Sequence, residues 1–512
     1  MIAVDFYRSL LRRDPSLAPV GADLAGALLA DGDFDGAVAE ASAALAVDPS
    51  LVQARVVRAT AFKALCRYDE AAVDFERAAA QAPERPMVLV NLGNTYAEIA
   101  RLGDAERVLR RAVALAPRSK EALVSLGSVL IKLDRPAEAE APCRAALALD
   151  PGLVAAHQNL SGILARSDPD AARLHRDAAY RRRQVFIERA PRPERTVLVL
   201  AAAEAANVPL QDLIPRATTT VIRWYVEYAT GDPDPVLAQA DVVFNAIGDA
   251  DLAPELPEAV ERFLDGRLVL NPTARVASTR RCDLPGLLAG IPGIVVSPVT
   301  RHEGLDPPEF RGPVLVRPIG SHGGEGLRRY DDAEALAGLP DSAYYVTQFV
   351  DYVSADGWYR KYRVIFVEGR PYPYHLAISR HWLVHYWTSG MEQDADRRDE
   401  ERRFLANPAE AIGPGAMAAL DAIGERLGLD YAGIDFGFLP DGRLVVFEAN
   451  ATMLVHPERD PCFAYRNPAV EAIRSAFEAM LDRSRYVLRG KQPSGRPSGL
   501  PSDKKPHANG HG

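Results

Sequence analysis

The sequence predicts a multidomain protein: an all-α solenoid in front, then an α/β plus α+β region. Three observations predict it. Pro15, Pro49, Pro83, Pro117 and Pro151 recur every 34 residues, and a period in that range marks stacked helical units. From Arg195 onward, short apolar runs rich in Val, Ile and Leu alternate with polar loops, the rhythm of strands and helices in α/β domains. Near the end, two β-prone runs flank Leu439-Pro440-Asp441-Gly442, which reads as a hairpin.

The front half is periodic in other columns too. Ala37, Ala71, Ala105 and Ala139 stand twelve residues before a column proline, and Ala44, Ala78, Ala112 and Ala146 five before. Ala25, Ala59, Gly93 and Gly127 mark the first helix of each unit, with Leu24, Leu92, Leu126 and Leu160 before several of the small residues. Small side chains let two helices approach closely, and proline fits the end of a helix that cannot continue. Polar segments such as Arg101-Leu102-Gly103-Asp104 and Asp134-Arg135-Pro136 precede the second helices as turns and caps. These columns resemble the tetratricopeptide repeat family over about residues 18 to 187, so residues 1–187 are assigned to a helical array. Of the large aromatic columns, Phe62, Phe75 and Tyr96 are present. The fifth unit, from Val154, weakens after Ser161 and is expected to act as a cap. The resemblance implies a concave face for a peptide or protein. A purely structural or oligomerising array is the other reading.

Charge and composition narrow the functions. Apolar residues make up 48% and charged residues 25% of the chain, the net charge is −9 and the pI about 5.7. This argues against nucleic acid or an anionic membrane as partner. Cys66, Cys143, Cys282 and Cys462 lie far apart without a Cys-x-x-Cys pair, so neither a disulfide framework nor a zinc site is expected, and a reducing, cytoplasmic setting is. No signal-peptide pattern opens the sequence, and no apolar run approaches the roughly 18 residues that span a bilayer. The arginines between Arg176 and Arg195 have little aromatic interleaving to stack bases; a solvated helix and linker is expected, with a boundary at Ala190-Pro191-Arg192-Pro193. Residues 489–512 are polar, Gly- and Pro-rich and expected to be disordered; His507 and His511 are too sparse for a metal site.

Residues 194–275 read as a small α/β layer. Its strands are Arg195 to Leu200, Val221 to Tyr228 and Asp241 to Asn245. Asn245 and Asp249 fall at a strand end, where turn capping or ligand contact are the readings. Residues 276–350 carry Arg280, Arg281 and Gly290-Ile291-Pro292, then a strand Val314 to Pro318 that runs into Gly320-Ser321-His322-Gly323-Gly324-Glu325-Gly326. Glycines let a backbone come close to phosphate and aim N–H groups at it, and Arg317 could neutralise its charge. Tyr344 to Asp351 reads as a strand entering a polar corner. In Lys361 to Arg370, cations alternate with apolar residues, so one face is charged and one buried. Residues 351–488 end with the hairpin. A turn centred between Pro440 and Asp441 pairs Phe438 with Arg443 and Asp435 with Val446. Glu448 and Asn450 share parity with Val446, so Asp435, Glu448 and Asn450 share a face. Two carboxylates and an amide oxygen suit a hard cation such as Mg²⁺.

In this order the pieces resemble the ATP-grasp superfamily: Gly290-Ile291-Pro292, Arg317, the glycine loop, Gln348 to Asp351, Arg363, Asp435, and Glu448 with Asn450. The resemblance covers about residues 195 to 485. It implies an ATP-grasp fold with a pre-ATP-grasp α/β domain (194–275), a small lid subdomain (276–350) and a large subdomain (351–488). It also implies ATP as cofactor and two Mg²⁺ ions on Asp435, Glu448 and Asn450. Gly320, Ser321, Gly323, Gly324 and Gly326 would cover the phosphates, while Gln348, Phe349 and Val350 would line the adenine slot and Asp351 would reach the ribose. Arg363 would stabilise the transferring phosphoryl group with Arg317, and Arg280 or Arg281 would take the first phosphate-binding position. Arginine stands where the family usually has lysine at 280/281 and 317, and Lys361 where it often has aspartate. His375, His381 and His385 read either as a metal site or as polar, substrate-facing groups. His375, Arg380 and Lys361 are the candidate substrate contacts. The implied activity is an ATP-dependent carboxylate–amine or carboxylate–thiol ligase acting through an acylphosphate on a carboxylate substrate, with a peptide or protein presented by the array. Alternatives are a small-molecule ligase or phosphotransferase whose array oligomerises, and a scaffold with a silent nucleotide site.

Overall fold

A computed structural model describes residues 2–204, 207–303, 312–321, 324–331 and 343–488. The front is an all-α solenoid. After α1 (Ile2–Arg13) come five helix pairs: α2 (Ala18–Asp31) with α3 (Phe34–Val47), α4 (Val52–Ala64) with α5 (Tyr68–Gln81), α6 (Pro86–Glu98) with α7 (Leu102–Leu115), α8 (Lys120–Lys132) with α9 (Pro136–Leu149), and α10 (Val154–Leu164) with α11 (Pro169–Tyr180). The small columns are buried between helices: Ala37, Ala71, Ala105 and Ala139 have no exposed surface. A Cβ on Gly93 would lie 2.5 Å from Leu109 Cγ, and one on Gly127 2.5 Å from Cys143 Sγ.

Gly32, Cys66, Ala100 and Asp134 all adopt positive φ, between 56° and 81°, again 34 residues apart. Three are not glycine, at a cost of about 1–2 kcal/mol each. The return is helix closure. Asp33, Arg67, Arg101 and Arg135, each the next residue, donate their N–H back to Leu28, Phe62, Tyr96 and Leu130 O at 2.8–2.9 Å, satisfying carbonyls that the helix end would orphan.

Two sequence expectations change here. The fifth unit is a complete helix pair, because Asp168 caps α11 by accepting from Ala171 N. The array also ends at Tyr180 rather than 187: β1 (Val185–Glu188) pairs antiparallel with β3 of the next sheet, its side chains shared between Tyr180 and the sheet.

A mixed α/β region with three sheets follows. The first has the order β1-β3-β2-β4-β5, from β2 (Arg195–Ala201), β3 (Thr219–Tyr225), β4 (Val242–Asn245) and β5 (Val269–Leu270). Apart from β1 its neighbours are parallel. β3 ends at Tyr225; Val226–Tyr228, expected as strand, is a 3₁₀ turn. Short helices α12 (Glu258–Leu264), α13 (Thr273–Ala277) and α14 (Leu284–Leu287) lead to β6 (Ile294–Val296). The second sheet, order β7-β10-β8-β9, joins β7 (Val299–His302), β8 (Val314–Pro318), β9 (Arg328–Tyr330) and β10 (Tyr344–Gln348), all antiparallel. The third has the order β12-β11-β13-β14-β6, with β11 (Tyr359–Val367), β12 (Arg370–Ser379), β13 (Tyr431–Phe438) and β14 (Leu444–Asn450). β6, expected in the lid, instead extends this third sheet by parallel pairing with β14.

Helices α15 (Ala395–Ala406), α16 (Pro408–Leu427) and α17 (Asn467–Leu488) complete the region. Phe477 of α17 packs edge-on against Phe244 of β4, centroids 5.5 Å apart, and Arg195 of β2 donates to Asp482 at 2.8 Å and Glu478 at 2.5 Å. The first sheet is thereby fixed to the third.

One edge of the solenoid lies along the sheets. Tyr180 packs on Tyr225 with centroids 4.2 Å apart, and Tyr228 Oη donates to Asp177 at 2.8 Å. Arg192 pairs with Asp35, Arg216 with Glu98 and Arg166 with Glu325, at 2.8, 3.1 and 3.0 Å. Asp35 is in the first turn of α3, Glu98 ends α6 and Arg166 lies between α10 and α11, so the ends of helix pairs where their two helices join form that edge. Among the described residues, no helix is long and apolar enough to cross a membrane.

Candidate functional site

The hairpin sets the site. Phe438 pairs with Leu444, Gly437 with Val445 and Phe436 with Val446; then the register shifts and Asp435 pairs with Glu448. The expected partner of Asp435 was Val446. Two local events move the register by one residue each. The turn is a three-residue loop in which Leu439 N donates to Arg443 O and Gly442 takes φ 84°, and Phe447 bulges out of the ladder. Two one-residue shifts restore parity, so Asp435 and Glu448 are direct cross-strand neighbours on one face.

Both carboxylates meet cations. Arg363 stands opposite Asp435 on β11 and grips it with a fork, Nε to Oδ1 at 2.6 Å and Nη2 to Oδ2 at 2.8 Å. Lys361 Nζ reaches Oδ2 at 3.2 Å. Arg281 pairs with Glu448 Oε2 at 2.7 Å, and Arg317 approaches the same oxygen at 3.8 Å. Burial works to push Asp435 up, but the Arg363 and Lys361 charges hold it well below the usual carboxylate range. Glu448 is likewise lowered, by Arg281 first and despite burial and Asp435. Arg317 is pushed down to about 10, by burial and by the neighbouring Arg281. Four cations face two carboxylates, so the site is short of negative charge.

These groups line a cavity of about 300 Å³ between the second and third sheets. Gly324 borders it on the glycine-loop side; a Cβ there would lie 3.2 Å from His385 Nε2. The residue already has φ 81°. Arg317 braces the loop by donating to Ser321 O at 2.6 Å. Gln348, Phe349 and Val350 form an apolar wall with Leu315, Leu327 and Val446. Gln348 Nε2 donates to Pro313 O at 2.8 Å, and Phe349 packs against Trp382 with centroids 5.7 Å apart. One wall is thus largely apolar, the other cationic.

Not every predicted residue joins this cavity. Gly320 and Ser321 border a smaller neighbouring cavity with Asp249, Asp251, Arg281 and Asn450. Asn450 Oδ1 accepts from Thr452 N and Oγ1, both at 3.0 Å. Gly326, at φ 68°, packs on Pro318. Gly323 lies outside the described residues, as do residues 489–512. Arg280 is exposed and donates to Ala250 O, leaving Arg281 as the inward cation. Asp351 is exposed and caps its own turn by accepting from Val353 N. Arg380 stacks on Trp358, 3.9 Å from the ring centroid, outside the cavity lining. Asn245 and Asp249 do cap turns, accepting from Ile247 N and from Asp251 N and Leu252 N.

The histidines separate. His375 is buried and lines the cavity, His385 lines it half-buried, and His381 is exposed. Among the described residues no group of three or more His, Cys, Asp or Glu side chains is placed to hold a metal. His375 Nδ1 has no hydrogen-bond partner, and burial, then Arg363 and Arg466, keep the ring well below its ordinary pKa.

Around His375 the cavity ends in residues that no motif marks: Tyr374, Tyr386, His456 and Arg466. Arg466 comes from a 3₁₀ segment far along the chain and lies over the Tyr386 ring at 4.5 Å. It pairs with Glu458 at 2.6 Å, while buried Glu401 accepts from Tyr386 Oη and Tyr465 Oη at 2.9 and 2.5 Å. Period and motif order carry no information about so remote a convergence.

The donor set can be tested for Mg²⁺. Both oxygens of Asp435 are engaged by Arg363 and Lys361. Glu448 uses Oε2 for both of its cation contacts, while Asn450, two residues on, has its Oδ1 engaged by Thr452 and borders the neighbouring cavity. Of the three, Glu448 is the donor that fits a hard cation which also takes phosphate oxygens.

A model of the tetratricopeptide repeat family matches residues 23–86 and 90–154. The front of the chain carries tetratricopeptide repeats. No curated protein matches the chain. Among solved structures, YrrB, described as a TPR protein with an unusual peptide-binding site, is 23% identical over 34% of this chain and 90% of its own, with a TM-score of 0.31. PilF of Pseudomonas aeruginosa is 24% identical over 33% and 76%, at 0.30. MamA from Desulfovibrio magneticus RS-1 is 21% identical over 31% and 90%, also at 0.30.

Proposed function

We propose that the sheeted region is an ATP-grasp ligase that joins a carboxylate to an amine or thiol at the expense of ATP, with the repeat array binding the peptide or protein that carries the substrate. One observation carries this reading: Arg281, Arg317, Lys361 and Arg363 converge on Asp435 and Glu448 in a cleft with an apolar wall on the other side. A flat base suits the wall at Gln348 to Val350, and a triphosphate supplies the negative charge the cations lack.

Glu448 would hold Mg²⁺, which when bound neutralises phosphate charge. The protein's own work is positioning and charge neutralisation. Arg317 braces the glycine loop against the phosphates and Arg363 faces the reacting end. The second sheet keeps water from the cleft, which protects an acylphosphate from hydrolysis.

Hydroxylamine tests this. The full chain, Mg·ATP and candidate acids should yield hydroxamate together with ADP, and Arg363→Ala should abolish both. ATP binding without ADP release for any acid would favour the second reading, a repeat scaffold with a silent nucleotide site. That reading draws on the two carboxylates being already neutralised by arginine and lysine.

A further inference from the structure

We propose that Lys361, with Arg363, is a built-in counter-cation that takes the place of one of the two divalent ions, so that this site binds nucleotide phosphate with a single ion. The inference rests on the nucleotide reading above.

Asp435 is 3% exposed, and its oxygens accept from Arg363 at 2.6 and 2.8 Å and face Lys361 Nζ at 3.2 Å. The two cations are two residues apart on one strand, so they share a face. Their strand pairs directly with that of Asp435, and the backbone register holds them in place. Together they carry the charge of one divalent ion. An ion seated on Asp435 would have to displace both Lys361 and the Arg363 fork, and the two cations would then stand beside it, where like charges repel strongly. Glu448 differs. Both of its cation contacts use Oε2, so an ion on Oε1 would take the place of neither Arg281 nor Arg317. Its neighbouring cation Arg317 is a fixed arginine fork braced on Ser321, not a mobile ammonium.

Mn²⁺ reports the number of ions directly. With the full-length protein saturated in the non-hydrolysable analogue AMP-PNP, electron paramagnetic resonance should count one tightly bound Mn²⁺ per chain. The double variant Lys361→Ala/Arg363→Ala, which frees both Asp435 oxygens, should count two, and Lys361→Arg, which keeps the cation, should count one. Two ions on the wild-type protein would overturn the proposal, as would a single ion on a folded double variant that still binds AMP-PNP. The wild-type count decides even where the double variant does not fold. Binding of AMP-PNP with two ions defeats this inference and leaves the nucleotide reading standing. Failure of AMP-PNP to bind at any Mn²⁺ concentration defeats both.

Discussion

Arg363 and Asp435 stand directly opposite each other on antiparallel strands, and the guanidinium fork closes on both carboxylate oxygens at 2.6 and 2.8 Å. Removing one partner of a buried pair strands the other charge, which costs about 3–5 kcal/mol. Arg363→Ala should lose stability by no more than that, because Lys361 stays beside Asp435. Arg363→Lys should lose less, because it keeps the charge and gives up only the fork. The pH dependence has a defined sign. Asp435 is held below its unfolded value, so its contribution is complete above about pH 4 and is lost as pH falls further, while the unfolded chain takes up the proton first. Denaturant titrations from pH 7 to pH 3 should show the wild-type advantage over Arg363→Ala steady down to about pH 4 and shrinking below it. An advantage that is flat to pH 3 would remove the pair from the stability of the fold.

Glu448 separates Arg281 from Arg317, at 2.7 and 3.8 Å. Glu448→Gln keeps the shape and removes the charge, leaving two neighbouring cations with less to hold them. The variant should be less stable by about 1–3 kcal/mol. An added anion should then matter more to the variant than to the wild type. Inorganic phosphate should raise its melting temperature further than it raises that of the wild type, with sodium chloride at matched ionic strength as control. Equal shifts in the two proteins would mean that Arg317 and Arg281 do not form an anion site.

How much of this was readable in advance depends on distance along the chain. The 34-residue period located the helix pairs because each unit repeats the same close contacts, Ala37 in one pair doing what Ala71 does in the next. Gly442 and Pro440 marked the hairpin turn, since only a few residues fit such a loop. The period did not reveal that Cys66, Ala100 and Asp134 adopt the left-handed conformation that Gly32 adopts, because four different residue types share that position. The bulge at Phe447 was invisible as well: a bulge is set by the strand opposite, not by its own residues. Arg281 and Lys361 were legible as charges, but their partners depended on register. Arg466 and Tyr386 reach the cavity only through tertiary folding, so no local pattern could place them there.

The array makes a test of close packing. A Cβ on Gly93 would lie 2.5 Å from Leu109 Cγ, a branch point close to the backbone that cannot swing aside freely. Gly93→Ala gains helix propensity, worth about 1 kcal/mol at an exposed site, yet overpacking costs about 1–3 kcal/mol. The net effect should be destabilising. Leu109→Ala creates the complementary space, so the double variant should be more stable than the sum of the single changes predicts, by at least about 0.5 kcal/mol in a double-mutant cycle. Strict additivity would show that α6 and α7 shift apart rather than clash.

The last helix pair carries a proton-sensitive contact. His157 on α10 and His175 on α11 face each other through their Nδ1 atoms at 2.8 Å, which requires one to donate and the other to accept. Doubly protonated rings have two donors and no acceptor, so the contact cannot survive in that form. Burial, then the charges of His157 and Arg144, lower the pKa of His175. A histidine whose folded pKa lies below its unfolded value takes its proton first in the unfolded chain, so acid favours unfolding. The contribution is therefore fully present above the unfolded value near pH 6.5 and is lost as pH drops below it. Thermal melts followed by circular dichroism should fall between pH 7.5 and pH 5.5 more steeply for the wild type than for His175→Gln, whose amide can still donate or accept without titrating. Parallel curves for the two proteins would assign the acid sensitivity to other groups.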